Sequence, residues 1–163
     1  MSGGRAPRAI RVGGRSNGRD RGQALPEFAL ALIPFVFLLM GVFDLGRGIY
    51  TNNGVAQASR EIARVTSVHQ CTGPCTSATW STEIVEVVNT QKALVPGLSN
   101  TDVAIDCVDV TNSPITVEAG GICPPGDYIR VTTSMSFRLV TPLLPIPNPF
   151  TVSSTAHVQV QKP

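Results

Sequence analysis

Hydrophobic positions along this chain follow three successive patterns. From Phe28 to Phe43 the sequence FALALIPFVFLLMGVF runs for sixteen residues without a charge, bounded by Glu27 and Asp44. As a helix this run is about 24 Å long at ~1.5 Å per residue, and extension to Ala24 and Gly48 brings it to the ~30 Å of a bilayer core. Beyond it Val55, Ala58, Ile62 and Val65 recur on one helical face, with Gln57, Arg60, Glu61 and Arg64 elsewhere. The helix is therefore expected to continue as an amphipathic one. Gly48, Asn52, Asn53 and Gly54 predict a bend near 52–54. The segment EIVEVVNTQKALV at 83–95 places Ile84, Val87, Val88, Leu94 and Val95 near one side, which predicts a second, shorter helix ended by Pro96-Gly97.

The period then changes to two. Val103, Ile105 and Cys107 alternate, as do Ile129, Val131, Thr133, Met135, Phe137 and Leu139, and then Val152, Ser154, Ala156, Val158 and Val160. Each set predicts a strand with one buried face, and Ile115 and Val117 suggest a short fourth. The insert 140–150, VTPLLPIPNPF, holds four Pro and is no regular central strand. Its Leu143, Leu144, Ile146 and Phe150 are read as a loop over the sheet, the alternative being a contact surface. The expected fold class is α+β: a long N-terminal transmembrane helix continuing into an amphipathic helix, a second short helix and a small antiparallel sheet.

Charge sharpens the reading of the apolar run. Residues 1–22 hold six Arg, six Gly and one Asp, a net of +5, whereas residues 23–163 carry a net of −3. Such a leader buries too little apolar surface to offset its ordering entropy and is expected to be disordered. Positive charge just upstream of an apolar helix holds the N-terminus in the cytoplasm, so the run reads as a membrane insertion segment. The rival readings are a buried core helix and a Sec signal peptide, for which Gly46 and Gly48 around Arg47 would supply small residues. The domains expected are a basic cytoplasmic leader at 1–22, a transmembrane helix at 23–48 and an extracytoplasmic α+β domain at 49–163. Charged residues make up only 15% of the chain and aromatic ones 6%, with one Trp, which argues against an aromatic nucleic-acid platform.

The junction reads Arg21-Gly22-Gln23-Ala24-Leu25-Pro26-Glu27-Phe28. Gly22 lacks a Cβ and lets extended backbone enter a narrow protease cleft, and Glu27 at the lip of the apolar helix is costly unless paired. Cleavage after Gly22 would make Gln23 the N-terminus, whose α-ammonium is the natural partner of Glu27. Pro26 would then fall among the first four helical residues, whose N–H groups have no helical partner. Pro34, deeper in the run, is expected to kink the helix.

These residues resemble the prepilin-peptidase signal of type IV pilin-like proteins. The stretch from Arg21 to Val65 is similar to the N-terminal signature of the TadE-like family of tight-adherence (Flp) pilus proteins. The resemblance rests on Arg21 to Leu25, Glu27-Phe28-Ala29-Leu30, Pro34, Asp44-Leu45-Gly46-Arg47 and Ala58-Ser59-Arg60-Glu61-Ile62-Ala63-Arg64. It implies a pseudopilin or minor pilin of the bacterial inner membrane. Its partners would be the lipid bilayer, other pilins and the assembly machinery, with a prepilin peptidase acting at Gly22, Gln23, Glu27 and Phe28. Glu27, Asp44, Arg47, Arg60, Glu61 and Arg64 are the candidate assembly residues, although the last three read first as a solvated helix face. Pro26, where an aliphatic residue is usual, and Phe28, where major Flp pilins carry Tyr, depart from the pattern and leave an uncleaved anchor as the alternative.

Cys71, Cys75, Cys107 and Cys123 all follow the apolar run and would lie outside the cytoplasm, where disulfides are the default. Cys71–Cys75, closing a Thr-Gly-Pro turn, and Cys107–Cys123 are the favoured pairs. Zinc would prefer two close Cys pairs or added His, so no metal and no cofactor is expected. Asp102, Asp106 and Asp109 read as the polar edge of a strand rather than a Ca²⁺ site. No Gly-rich phosphate loop, Gly-x-Ser-x-Gly elbow or His-Glu-x-x-His is present, so no enzyme is expected. The alternative function is a signal-anchored envelope binding protein unrelated to pili.

Overall fold

The computed structural model describes residues 20–118, 121–140 and 149–161, with side chains described from residue 25 onward. The fold is α+β. Helix α1 spans Asp20–Val68, helix α2 Thr82–Leu94, and strands β1 (Val103–Val108), β2 (Tyr128–Phe137) and β3 (Phe150–Gln159) follow. A short 3₁₀ turn at Asn100–Asp102 leads into β1. Two compact units divide at residues 39 and 40. In the first, the described side chains belong to α1 and are exposed, among them Leu25, Phe28, Leu30, Ile33 and Leu38.

The second unit, residues 40–163, holds the core. The sheet order is β1-β2-β3 and both pairings are antiparallel, with Ile105 opposite Val131 and Val131 opposite Ala156. Alternation does what the sequence requires of it: Ile129, Val131, Thr133, Met135 and Phe137 on β2 are buried on one face. Val55, Ala58, Ile62 and Ala63 of α1 and Ile84 and Val88 of α2 complete two apolar clusters against that face. Ile62, Ile84, Ile129 and Val131 are almost wholly removed from water, each contributing roughly 1.5–3 kcal/mol of transfer free energy. Serine and threonine dominate the opposite face, where Thr132 and Thr155 bond across the strands at 3.1 Å.

Local chemistry sets the element ends. The Ser81 hydroxyl accepts from the Ile84 N–H at 3.4 Å, capping α2, and Glu83 supplies a negative charge to its first turn. Val95 N–H returns to the Gln91 carbonyl at 2.8 Å, and Gly97, at φ +94°, turns the chain in a conformation that disfavours a side chain. The Asp102 carboxylate accepts from both Ser99 N–H and the Ser99 hydroxyl, at 2.8 and 2.6 Å.

Helix α1 runs on through residues 52–54, as the amphipathic pattern predicts. A Cβ on Gly54 would come within 3.0 Å of Val95 Cγ2, so this glycine serves close helix packing. In the untrimmed chain α1 begins at Asp20 and includes Pro26 and Pro34, whereas the reading of Pro26 concerns a chain trimmed after Gly22. Other expectations are corrected. Leu94 is exposed, and the buried face of α2 consists of Ile84, Val88 and Gln91. Ile115 and Val117 form no strand; Pro114 makes an isolated bridge with Val108, and Ile115 N–H bonds the Cys107 carbonyl at 2.8 Å. Phe150 opens β3, half-buried, with its ring 5.3 Å from that of Phe137. Leu143, Leu144 and Ile146 lie outside the described residues.

Candidate functional site

The residues singled out by the sequence lie along α1. Leu25–Val68 is long and apolar enough to cross a membrane by length and composition; its most apolar window has a mean hydropathy of 2.4 and is 6% buried. Glu27 and Phe28 are exposed on this helix. Gly22 and Gln23 fall in its first turns. The surface of the run is thus greasy on all sides, as expected of a helix whose partner is lipid or other apolar helices.

At the end of the run the chemistry changes. Asp44 is only 4% exposed, and both of its carboxylate oxygens accept from the Val140 N–H, at 3.1 and 3.0 Å. Arg47, one turn on, reaches Asp44 at 3.6 Å and remains 56% exposed. Its guanidinium also lies 5.3 Å above the Phe137 ring, a cation–π arrangement that holds the side chain against the end of β2. The sequence suggests the Asp44–Arg47 pair from its spacing but gives no sign of the contact to Val140, which lies 96 residues away in the chain. An acceptor at the close of an apolar run signals that something is bonded there without saying what.

Further along α1, Glu61 and Arg64 pair at 3.4 Å. Arg60 and Arg64 are exposed, whereas Glu61 is half-buried and lines a groove with Glu83, Glu86 and Thr90 of α2. Open to water, such a pair adds little to stability.

Two disulfides brace the body. Cys71 bonds Cys75, and Cys107 bonds Cys123, leaving no free cysteine. The two covalent loops touch: Gln70 Oε1 accepts from Cys123 N–H at 2.7 Å, and Gly73 N–H donates to the Gly121 carbonyl at 2.7 Å. Together they tie the segment following α1 to β1.

The three aspartates of the predicted polar edge separate. Asp102 caps the 3₁₀ turn before β1; Asp106 on β1 pairs with Arg130 at 3.0 Å. Asp109 lies just past the strand, where its Oδ1 accepts from Thr111 N–H, the Thr111 hydroxyl and Ser113 N–H. The Thr111 hydroxyl, then the Ser113 amide, hold the Asp109 carboxyl below its ordinary range. Their bonds explain these carboxylates without a cation, and the described residues contain no group of three or more His, Cys, Asp or Glu able to hold a metal ion. Sequence reasoning also missed a polar cluster on the outer sheet face, where Asn112, at φ 65°, meets both Arg130 and His157 through its Oδ1.

No curated protein and no solved structure matches the chain. Residues 22–64 match the family model described as TadE-like protein, a stretch that begins at the glycine before Gln23 and ends at Arg64. Gly22, Glu27, Asp44-Leu45-Gly46-Arg47 and Arg60 to Arg64, which carry the resemblance read from the sequence, all lie within this match to the TadE-like family.

Proposed function

We propose that this protein is a membrane-anchored pseudopilin or minor pilin that assists assembly of a tight-adherence type IV pilus. The observation that carries the reading is the TadE-like match over residues 22–64, laid on a helix whose apolar side chains from Leu25 to Phe43 are exposed. A helix of this kind is stable in lipid and can leave it sideways to pack among like helices without exposing greasy surface to water. The basic leader stays in the cytoplasm, the run from Phe28 to Phe43 crosses the inner membrane, and the disulfide-braced body lies outside it. No substrate is turned over.

Trimming after Gly22 frees the α-ammonium of Gln23 to meet Glu27 of its own chain or of a neighbour, and such a pair sets register between helices. Glu61 and Arg64, with Arg60, offer a charged face to other subunits, whereas Asp44 acts inward by holding Val140. Mass spectrometry of the native protein is expected to find Gln23 as the first residue, and Gly22→Leu to leave the leader attached. Native material still beginning at Met1 or Ser2 would remove trimming from the proposal. Failure to co-purify with pilus components would favour an envelope binding protein instead.

A further inference from the structure

Within residues 40–163 a groove of about 530 Å³ runs along one face of α1, with Gly41, Leu45, Gly48 and Ile49 on one wall and Phe137 and Phe150 on the other. Its lining is apolar apart from Asp44 and Asn52. Asp44 presents no free charge to an occupant, because its oxygens hold Val140 N–H and Arg47. The cation placed at this groove is Arg47, whose guanidinium lies over the Phe137 ring. Residues 23–163 carry a net of −3, so an arginine beside an apolar groove runs against the charge of the body. Leu45, Ile49 and Tyr50 carry exposed apolar surface past the last residue of the uncharged run.

We propose that this groove binds one anionic phospholipid, an acyl chain lying between α1 and the Phe137–Phe150 pair and the phosphate meeting Arg47. The inference rests on the reading that the Phe28–Phe43 run lies in a bilayer, which sets the groove at headgroup depth. Size favours lipid over protein. The volume falls in the ~300–1,000 Å³ of small-ligand sites, whereas a second helix about 10 Å across would need the two walls to part. The planar guanidinium of Arg47, already held by stacking, suits a phosphate.

The test is native mass spectrometry of the full chain released from vesicles of mixed phosphatidylglycerol and phosphatidylcholine. Wild type is expected to retain one phosphatidylglycerol in preference to phosphatidylcholine. Arg47→Gln should weaken retention about five-fold, the weight of one cation at an anionic surface, and Arg47→Lys, which keeps the charge without the stacked plane, should restore part of it. Gly48→Leu fills the groove: its Cβ fits 3.9 Å from Phe137 Cζ, the rest of the side chain takes the lipid's place, and binding should vanish at an unchanged unfolding midpoint. Equal retention of the two lipids, or retention surviving Gly48→Leu, would overturn the proposal. So would an efficient Ile49→Cys disulfide between copies, which would make a second chain the occupant. Alkaline extraction of the same vesicles separates the two readings. Protein that stays in the pellet yet carries no lipid refutes the groove and leaves the span standing, whereas protein in the supernatant refutes the span.

Discussion

The two disulfides make unequal demands on the unfolded chain, and the difference can be measured. Cys71 and Cys75 are 4 residues apart, Cys107 and Cys123 16. The chain-entropy relation, in which lost loop freedom grows with the logarithm of loop length, assigns about 2 kcal/mol to the short loop and about 3 kcal/mol to the long one. Packing acts in the same direction, since Cys107 and Cys123 are both buried whereas Cys75 is half-exposed. Replacing Cys107 and Cys123 together by Ala is therefore expected to destabilise the body by about 1 kcal/mol more than replacing Cys71 and Cys75. The chain contains one tryptophan, Trp80, which packs against the same apolar cluster. Its fluorescence during guanidinium unfolding, with the full chain held in nonionic detergent, reports on the body. Because Gln70 and Gly73 bond the Gly121–Cys123 segment, removal of both bridges should depart from the sum of the two by more than about 0.5 kcal/mol. Equal losses, or a greater loss from the short loop, would refute the argument from loop length.

Thr133 is fully buried and its hydroxyl has no hydrogen-bond partner among the described residues, so Thr133→Val, which keeps the shape, should stabilise the body by about 1 kcal/mol. A lower unfolding midpoint would mean that the hydroxyl is bonded after all. Asp109 titrates below its ordinary range because Thr111 and Ser113 donate to its charged form. The sign follows: the folded state binds this proton less readily than the unfolded one, so the contribution is present above the unfolded carboxylate pKa and is lost as pH falls through the folded value. Stability measured across the acid range should fall less steeply in Asp109→Asn than in wild type, and identical slopes would show that the loop gains nothing from the charge.

Much of the fold is legible because periodicity is a local property. Alternation from Ile129 to Phe137 and from Val152 to Val160 marks β2 and β3, and the spacing of Val55, Ala58 and Ile62 marks the buried face of α1. The misreadings arise where a distant contact decides. Gly54 reads in sequence only as a weak point of the helix, yet Val95 approaches so closely that a glycine there allows two elements to pack. Leu94 has a core residue's hydropathy but falls at the end of α2, where Val95 turns inward in its stead. Phe150 follows a proline-rich stretch and reads as loop, but Phe137 lies opposite it in the ladder and draws it into β3.

The same distinction bears on how the TadE-like segment works. Its polar residues lie on one helix and look alike in sequence, as charges spaced along a rod. Three-dimensional placement divides them by partner. Glu27 and Arg60 are exposed on α1, and Glu61 and Arg64 satisfy each other at its surface, so their substitution should leave the body intact. Asp44 instead holds a backbone amide of the segment following β2, and loss of its carboxylate would leave that N–H without the acceptor. An assembly defect from Asp44→Ala therefore has a structural explanation that one from Glu27→Ala lacks. Of the candidate assembly residues, Glu27 and the charged face at 60–64 are those whose effect on a fibre would report on contacts between subunits. Asp44 reports first on how the body is fastened to its own helix.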